Sequence, residues 1–250
     1  MMKPNDGTPH ALSRPVIFSM ENLLAGLFSV QDLQNAIGRV ADGADVQFAV
    51  LMGKPIAVHL SCGIPAQSFA LHHAAVNDYI NKVTRFLVNC GLETGWLSGP
   101  DGVRLAEAIG MPPCGAQPIY FMTAEKAGMK EVVYVGRTAA EQGRFVGGHH
   151  AITKLHAPQY DGASKQIYQA SVLVRISESE WIALELVKPQ SRANFYLSEI
   201  ELNLIFALQP ALNETGREAL AASAAHHVLI QDPYGLVRGV DRTPISTVRR

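Results

Sequence analysis

The sequence predicts an α+β protein, on three observations. Apolar residues recur at helical spacing through much of the first half. Short β-branched and aromatic runs bounded by Gly and Pro mark strands in both halves. In the second half the elements follow in the order β-β-α-β-α, the order of a small sheet with helices packed against it. The 250 residues are 48% hydrophobic and 17% charged, enough apolar surface for one or two cores and too little charge for a disordered chain.

The first dozen residues are polar and read as a loose tail. Residues 19–39 read as helix: Ser19 is a cap, and Leu23, Leu24, Leu27, Leu33 and Ile37 form its stripe. Gly26 and Ser29 suggest a break into two short helices. Residues 46–52 and 55–60 are apolar runs separated by Gly53-Lys54, the pattern of a hairpin. A long amphipathic helix is expected over 66–90, with Phe69, Val76, Ile80, Val83 and Leu87 on one face and Gly91 as its C-cap. His72 and His73 lie on it about 100° apart, so one metal ion is not expected to take both, and they are read as structural or solvent-facing. A short helix follows near 102–109.

Residues 110–115 are rich in Gly and Pro and read as a linker. This places a mainly helical domain with a β-hairpin at 1–112, a second domain at 113–216, and a C-terminal helix and tail at 217–250. In the second domain, 118–122 and 131–135 are strands of an antiparallel hairpin, with Gly128 in its turn. A helical stretch over 139–155 is interrupted by Gly147-Gly148. Residues 166–176 read as a strand, and 181–187 as a strand or a helical turn. A helix at 198–208 presents Ile200, Leu204, Ile205 and Leu208, and Pro210 and Asn213 end it. The Ala-rich run beyond it reads as a helix carrying His226 and His227.

Composition removes several function classes. No run approaches the roughly 20 apolar residues of a bilayer-spanning helix. The N-terminal residues lack the apolar segment of a signal peptide, so a cytoplasmic protein with no membrane partner is expected. Cys62, Cys90 and Cys114 are too few and too far apart for a disulfide framework or a zinc knuckle, and are expected to be small buried hydrophobes. The net charge of −1 gives no global basic signal for nucleic acid. Basic residues are patchy instead: Arg137, Arg144, Lys154 and Lys165 stand against Glu141 and Asp161, with His149, His150 and His156 among them.

The chemistry-bearing residues fall in that second domain. Pro118-Ile119-Tyr120 and Tyr134-Val135-Gly136 sit on the two strands of the expected hairpin. Arg144 follows Gly136 by eight residues. A later helix carries Glu201, and Pro210-Ala-Leu-Asn213 closes it. In this order and spacing, these elements resemble the GIY-YIG nuclease family over about 100 residues. The resemblance implies a small GIY-YIG-like β-sheet flanked by helices, and a metal-dependent endonuclease that hydrolyses phosphodiester bonds. DNA is the first expected partner and RNA the other, in a restriction, mobile-element or repair setting; a homodimer is left open. The implied cofactor is Mg²⁺ or Mn²⁺.

Elementary chemistry gives each residue a role. A hard cation takes carboxylate oxygen and keeps several waters, so one carboxylate, Glu201, suffices as metal ligand. Glu199, two residues earlier, would point elsewhere and ranks second. Arg144 would hold phosphate oxygens in bidentate fashion. Tyr120 or Tyr134 would orient or deprotonate the attacking water. Gly136 would let a backbone approach closely. Arg137, His150, Lys154 and Asn213 would add substrate contacts.

Three departures from the family pattern stand out. Pro118 replaces the first glycine. The two tyrosines are 14 apart rather than about ten, which implies a longer hairpin turn. The Tyr or His that often follows the arginine by four residues is Gly148 here, and a bulge at Gly147-Gly148 would bring His149 or His150 into its place; His149 is taken as the catalytic one. His156, Tyr160 and Lys165 line the nucleic-acid path or are loop residues. The rival expectation is a catalytically degenerate domain that grips nucleic acid or a partner without cutting.

Overall fold

The computed structural model describes residues 15–40, 46–63, 68–92, 97, 99–138, 149–217, 227–236 and 245–248. The architecture is α+β: an eight-stranded mixed sheet with helices packed against it.

The N-terminal segment forms two short helices, each opened by a serine cap. Ser19 accepts from Asn22 N at 3.3 Å and opens α1 (Met20–Leu24). Ser29 accepts from Asp32 N at 3.1 Å, and Asp32 accepts from Ser29 N at 2.9 Å, a capping box that opens α2 (Val30–Gly38). Between them Gly26 takes φ 68°, a left-handed value that ends the first helix. The long helix is α3 (Phe69–Asn89), followed by α4 (Gly99–Ile109). Both α3 histidines are buried. His73 accepts from Asn77 Nδ2 through Nδ1 at 3.1 Å, so its Nε2 donates to Val187 O at 2.8 Å.

The expected hairpin over 46–60 is instead one strand, β2 (Gln47–Ala57). Gly53-Lys54 makes no turn; it lies in a bulge between Met52 and Pro55. Gly53 serves a close approach to β5 (Ser164–Arg175), since a Cβ there would lie 3.0 Å from Gln169 O. β2 runs antiparallel to β5, from Phe48 opposite Val174 to Ala57 opposite Gln166. Its other edge pairs in parallel with β7 (His227–Gln231), which pairs in turn with β8 (Ile245–Val248).

Two further expectations are corrected by this sheet. His227 lies on a strand, not on a C-terminal helix. The boundary at 112/113 does not divide two cores, because a strand from the first part is central to the sheet. Partners well over a hundred positions apart leave no mark in local periodicity, and a strand covered on both faces reads as a continuous apolar run.

The hairpin is formed by β3 (Ile119–Lys126) and β4 (Met129–Arg137), joined at Ala127-Gly128 with φ 53° and 76°. Two positive φ values make the tight turn whose twist suits paired strands. The wide spacing of the tyrosines therefore comes from longer strands and a bulge near Met122, not from a longer turn. β5 takes β3 along its first half and β6 (Glu180–Ala183) at its end, and β6 carries β1 (Val16–Phe18) in parallel.

Alternation along β3 splits its side chains between two cores. Ile119 and Phe121 join the main core, where Leu23, Leu33, Phe48 and Val83 meet Ile200 and Leu204 of α6 (Gln190–Leu208). Tyr120 and Met122 enter a smaller core with Val133, Ile167, and Ala151 and Leu155 from and beside α5 (His150–Lys154). Cys90 is half-buried and Cys114 exposed, so the expectation of burial fails for Cys114, which sits in the linker. Among the described residues no helix is long and apolar enough to cross a membrane.

Candidate active site

The β3–β4 hairpin brings the two tyrosine motifs face to face. Tyr120 stands directly opposite Gly136, and Tyr134 opposite Met122. The rings of Tyr120 and Tyr134 stack with centroids 6.0 Å apart. Gly136 is required here: a Cβ on it would collide with the Tyr120 phenol and lie 2.7 Å from Tyr134 Cε1. The two tyrosines differ in exposure. Tyr120 is wholly buried, while Tyr134 is half-buried and reaches solvent.

His149 closes the aromatic cluster. It caps α5, with Nδ1 accepting from Ala151 N at 3.1 Å. In the neutral ring the proton is then on Nε2, which donates to Tyr120 Oη at 2.7 Å. Its ring lies edge-on to both tyrosines, at 5.6 and 5.3 Å. His150, the alternative, is exposed on α5. Arg144, Gly147 and Gly148 lie outside the described residues.

A charged group lies at the same end of β4 on its other face, since Arg137 is an odd number of positions from Tyr134 and stands opposite Ile119. Arg137, the residue after Gly136, donates Nε to Glu201 Oε2 at 2.8 Å and Nη1 to Ser198 Oγ. Ser198 and Glu201 are one turn apart on α6, so both face β4. The Ser198 hydroxyl gives its proton to Asn194 O at 3.0 Å, which leaves its oxygen to accept from Arg137. The Glu201 side chain keeps 19% of its exposure. Glu199 is buried on another face of the helix.

The remaining candidates are placed differently from their expected roles. Asn213 does not reach toward a ligand: its Oδ1 accepts from Val135 N at 2.9 Å and its Nδ2 donates to Val135 O at 2.8 Å. With Leu212 N donating to Val133 O at 2.8 Å, residues 212–213 act as a short surrogate strand on the outer edge of β4. A Pro-x-x-Asn ending does not say where the amide points, and here it is spent on the β4 edge. Asn213→Ala strips Val135 of both partners and is expected to lower stability by about 2 kcal/mol in urea denaturation. An unchanged unfolding midpoint would contradict the clamp. Lys154 pairs with Glu214. Tyr160 is buried in the smaller core, Lys165 is half-buried and His156 is exposed.

Two carboxylates escaped the sequence reading. Glu21 of α1 accepts from Gly115 N at 2.8 Å, and Glu185 accepts from Ala116 N at 3.1 Å. Together they fix the segment that leads into β3. The available signal was a Glu inside the apolar run Leu184-Glu185-Leu186-Val187. Burial pushes the Glu185 carboxyl from its ordinary 4.5 up to about 7, and Glu21 adds to the rise. A raised folded value means stability that is present below pH 4.5 and lost as pH climbs through 7. Glu185→Gln removes this loss, so its stability relative to wild type is expected to grow by about 3 kcal/mol between pH 4.5 and pH 8. Parallel stability curves for the two proteins would contradict it.

Among the described residues no three His, Cys, Asp or Glu side chains converge on a common ion position. Among the described residues this group offers one carboxylate, Glu201, a donor that a hard cation completing its shell with water could use. No family model, no curated protein and no solved structure matches the chain.

Proposed function

We propose that this protein is a metal-dependent nuclease of the GIY-YIG type, hydrolysing phosphodiester bonds in nucleic acid, with DNA as the first substrate. The observation that carries this is that the last residues of β4 carry two unlike groups: Tyr134, with Tyr120 and His149, and, beyond Val135 and Gly136, Arg137 with Ser198 and Glu201.

Within it the residues divide the work. Glu201 supplies the carboxylate for a Mg²⁺ or Mn²⁺ ion, which when bound polarises the phosphate and assists departure of the leaving oxygen. Tyr134 reaches solvent and meets the attacking water; Tyr120, wholly buried, does not. His149 donates to the Tyr120 oxygen, which locks the inner ring and, by stacking, the orientation of Tyr134. Arg137 offers a guanidinium to phosphate oxygens, the geometry in which bidentate contact is strongest. The rival, a domain that grips without cutting, is favoured by the net charge of −1 and by a carboxylate already engaged by arginine.

Incubation with supercoiled plasmid tests the reading. Conversion to nicked or linear DNA in Mg²⁺ or Mn²⁺, abolished by EDTA, is expected. DNA binding without cleavage, unchanged by metal or EDTA, would favour the rival.

A further inference from the structure

Arg137 has an arrangement that a simple phosphate-contact arginine does not need. Its guanidinium is held on two sides within the protein, by Glu201 through Nε at 2.8 Å and by Ser198 through Nη1. Both partners come from the same face of α6, one turn apart. The Ser198 oxygen is turned toward Arg137 because its proton is committed to Asn194 O at 3.0 Å. The Arg137 and Glu201 side chains retain 31% and 19% of their exposure, so an ion from solvent can reach the pair.

Resting on the nuclease reading, we infer that Arg137 is a resident stand-in for the metal: its guanidinium occupies the coordinating edge of Glu201 and yields it when an ion arrives. A carboxylate oxygen cannot keep a linear N–H···O bond and a close metal bond along the same direction, and the two cations repel. Arg137 therefore gives up Glu201 to the ion, stays tethered by Ser198, and turns its released N–H groups outward to a phosphate. Metal loading and phosphate binding are thereby coupled through one side chain, and coupling of this kind is reciprocal. The free protein is kept from offering Glu201 as an open carboxylate, and Arg137 is presented fully to substrate only after loading.

The test measures Mn²⁺ binding to the full-length protein by electron paramagnetic resonance of the free ion, without substrate. Wild type is expected to bind weakly and Glu201→Gln to lose that binding. Arg137→Gln is expected to bind roughly five-fold more tightly than wild type, the effect of removing a partly exposed competing ion pair. Ser198→Ala, which loosens the tether and keeps both charges, is expected to shift affinity in the same direction by less. In a second readout, fluorescence anisotropy of a DNA duplex with Ca²⁺ in place of Mg²⁺, the ion tightens DNA binding by wild type and does so less for Arg137→Gln. Glu201-dependent Mn²⁺ binding that Arg137→Gln leaves equal or weakens would overturn the stand-in and leave the nuclease reading intact. Absence of any Glu201-dependent binding in either protein would overturn both.

Discussion

Glu201→Gln is expected to reduce metal-dependent cleavage by about 10³-fold or more, while the fold survives. Neutralising the one carboxylate proposed to hold the ion removes several kcal/mol of charge stabilisation at the transferring phosphate, and each factor of ten in rate corresponds to about 1.4 kcal/mol. The structural cost is small by comparison. Glu201 is not part of the core, and its pair with Arg137 is partly solvated, worth about 1 kcal/mol at most. Gln keeps the shape and can still accept from Arg137. Cleavage assays paired with thermal unfolding separate the two effects. An active variant would remove Glu201 from the mechanism, and an unfolded one would make its role structural.

Tyr134→Phe is the second large effect. A positioned proton acceptor contributes about 10²–10⁴-fold to a rate, and that is the loss expected in single-turnover cleavage. Stability is expected to stay near wild type, because the ring, which stacks on Tyr120 and meets His149 edge-on, is retained. Tyr120→Phe gives the opposite balance. It leaves buried His149 without the acceptor at 2.7 Å, and unfolding rather than chemistry is expected to register the change, by about 1–2 kcal/mol. Equal losses of rate in the two variants would contradict the division of labour drawn from their exposure.

Features encoded over a few residues were the ones legible in the chain. Ser19 announces the first helix, and Gly26 and Ser29 the break before the second, because caps and breaks are written within a few positions. Tyr120, Tyr134 and Gly136 could be marked as a unit because a hairpin brings near sequence neighbours together. The central strand was not legible. β2 looked like a hairpin because Gly53-Lys54 interrupts its apolar run, and only pairing with β5 shows that the glycine admits a neighbouring backbone. The C-terminal strands were hidden behind an Ala-rich stretch of strong helical propensity, and sheet pairing with β2 decides the state of His227 and its neighbours.

The same rule divides the site. Glu201 and Arg137 could be marked singly, yet their ion pair joins positions on different elements and was invisible. Ser198 was within reach, since it precedes Glu201 by one helical turn. Asn213 was marked for the wrong task, because its partner, the Val135 backbone, belongs to a strand far back in the chain. Glu21 and Glu185 act on the amides of a linker that the sequence presented only as a boundary.

The most direct measurement is a crystal structure of the protein with Mn²⁺ and a DNA duplex, read through the anomalous signal of the metal. The expected result is one strong peak about 2.2 Å from a Glu201 carboxylate oxygen, with Arg137 turned from Glu201 to a phosphate and Tyr134 facing the scissile bond. DNA bound with no peak at Glu201, or a peak held by other carboxylates, would contradict the site.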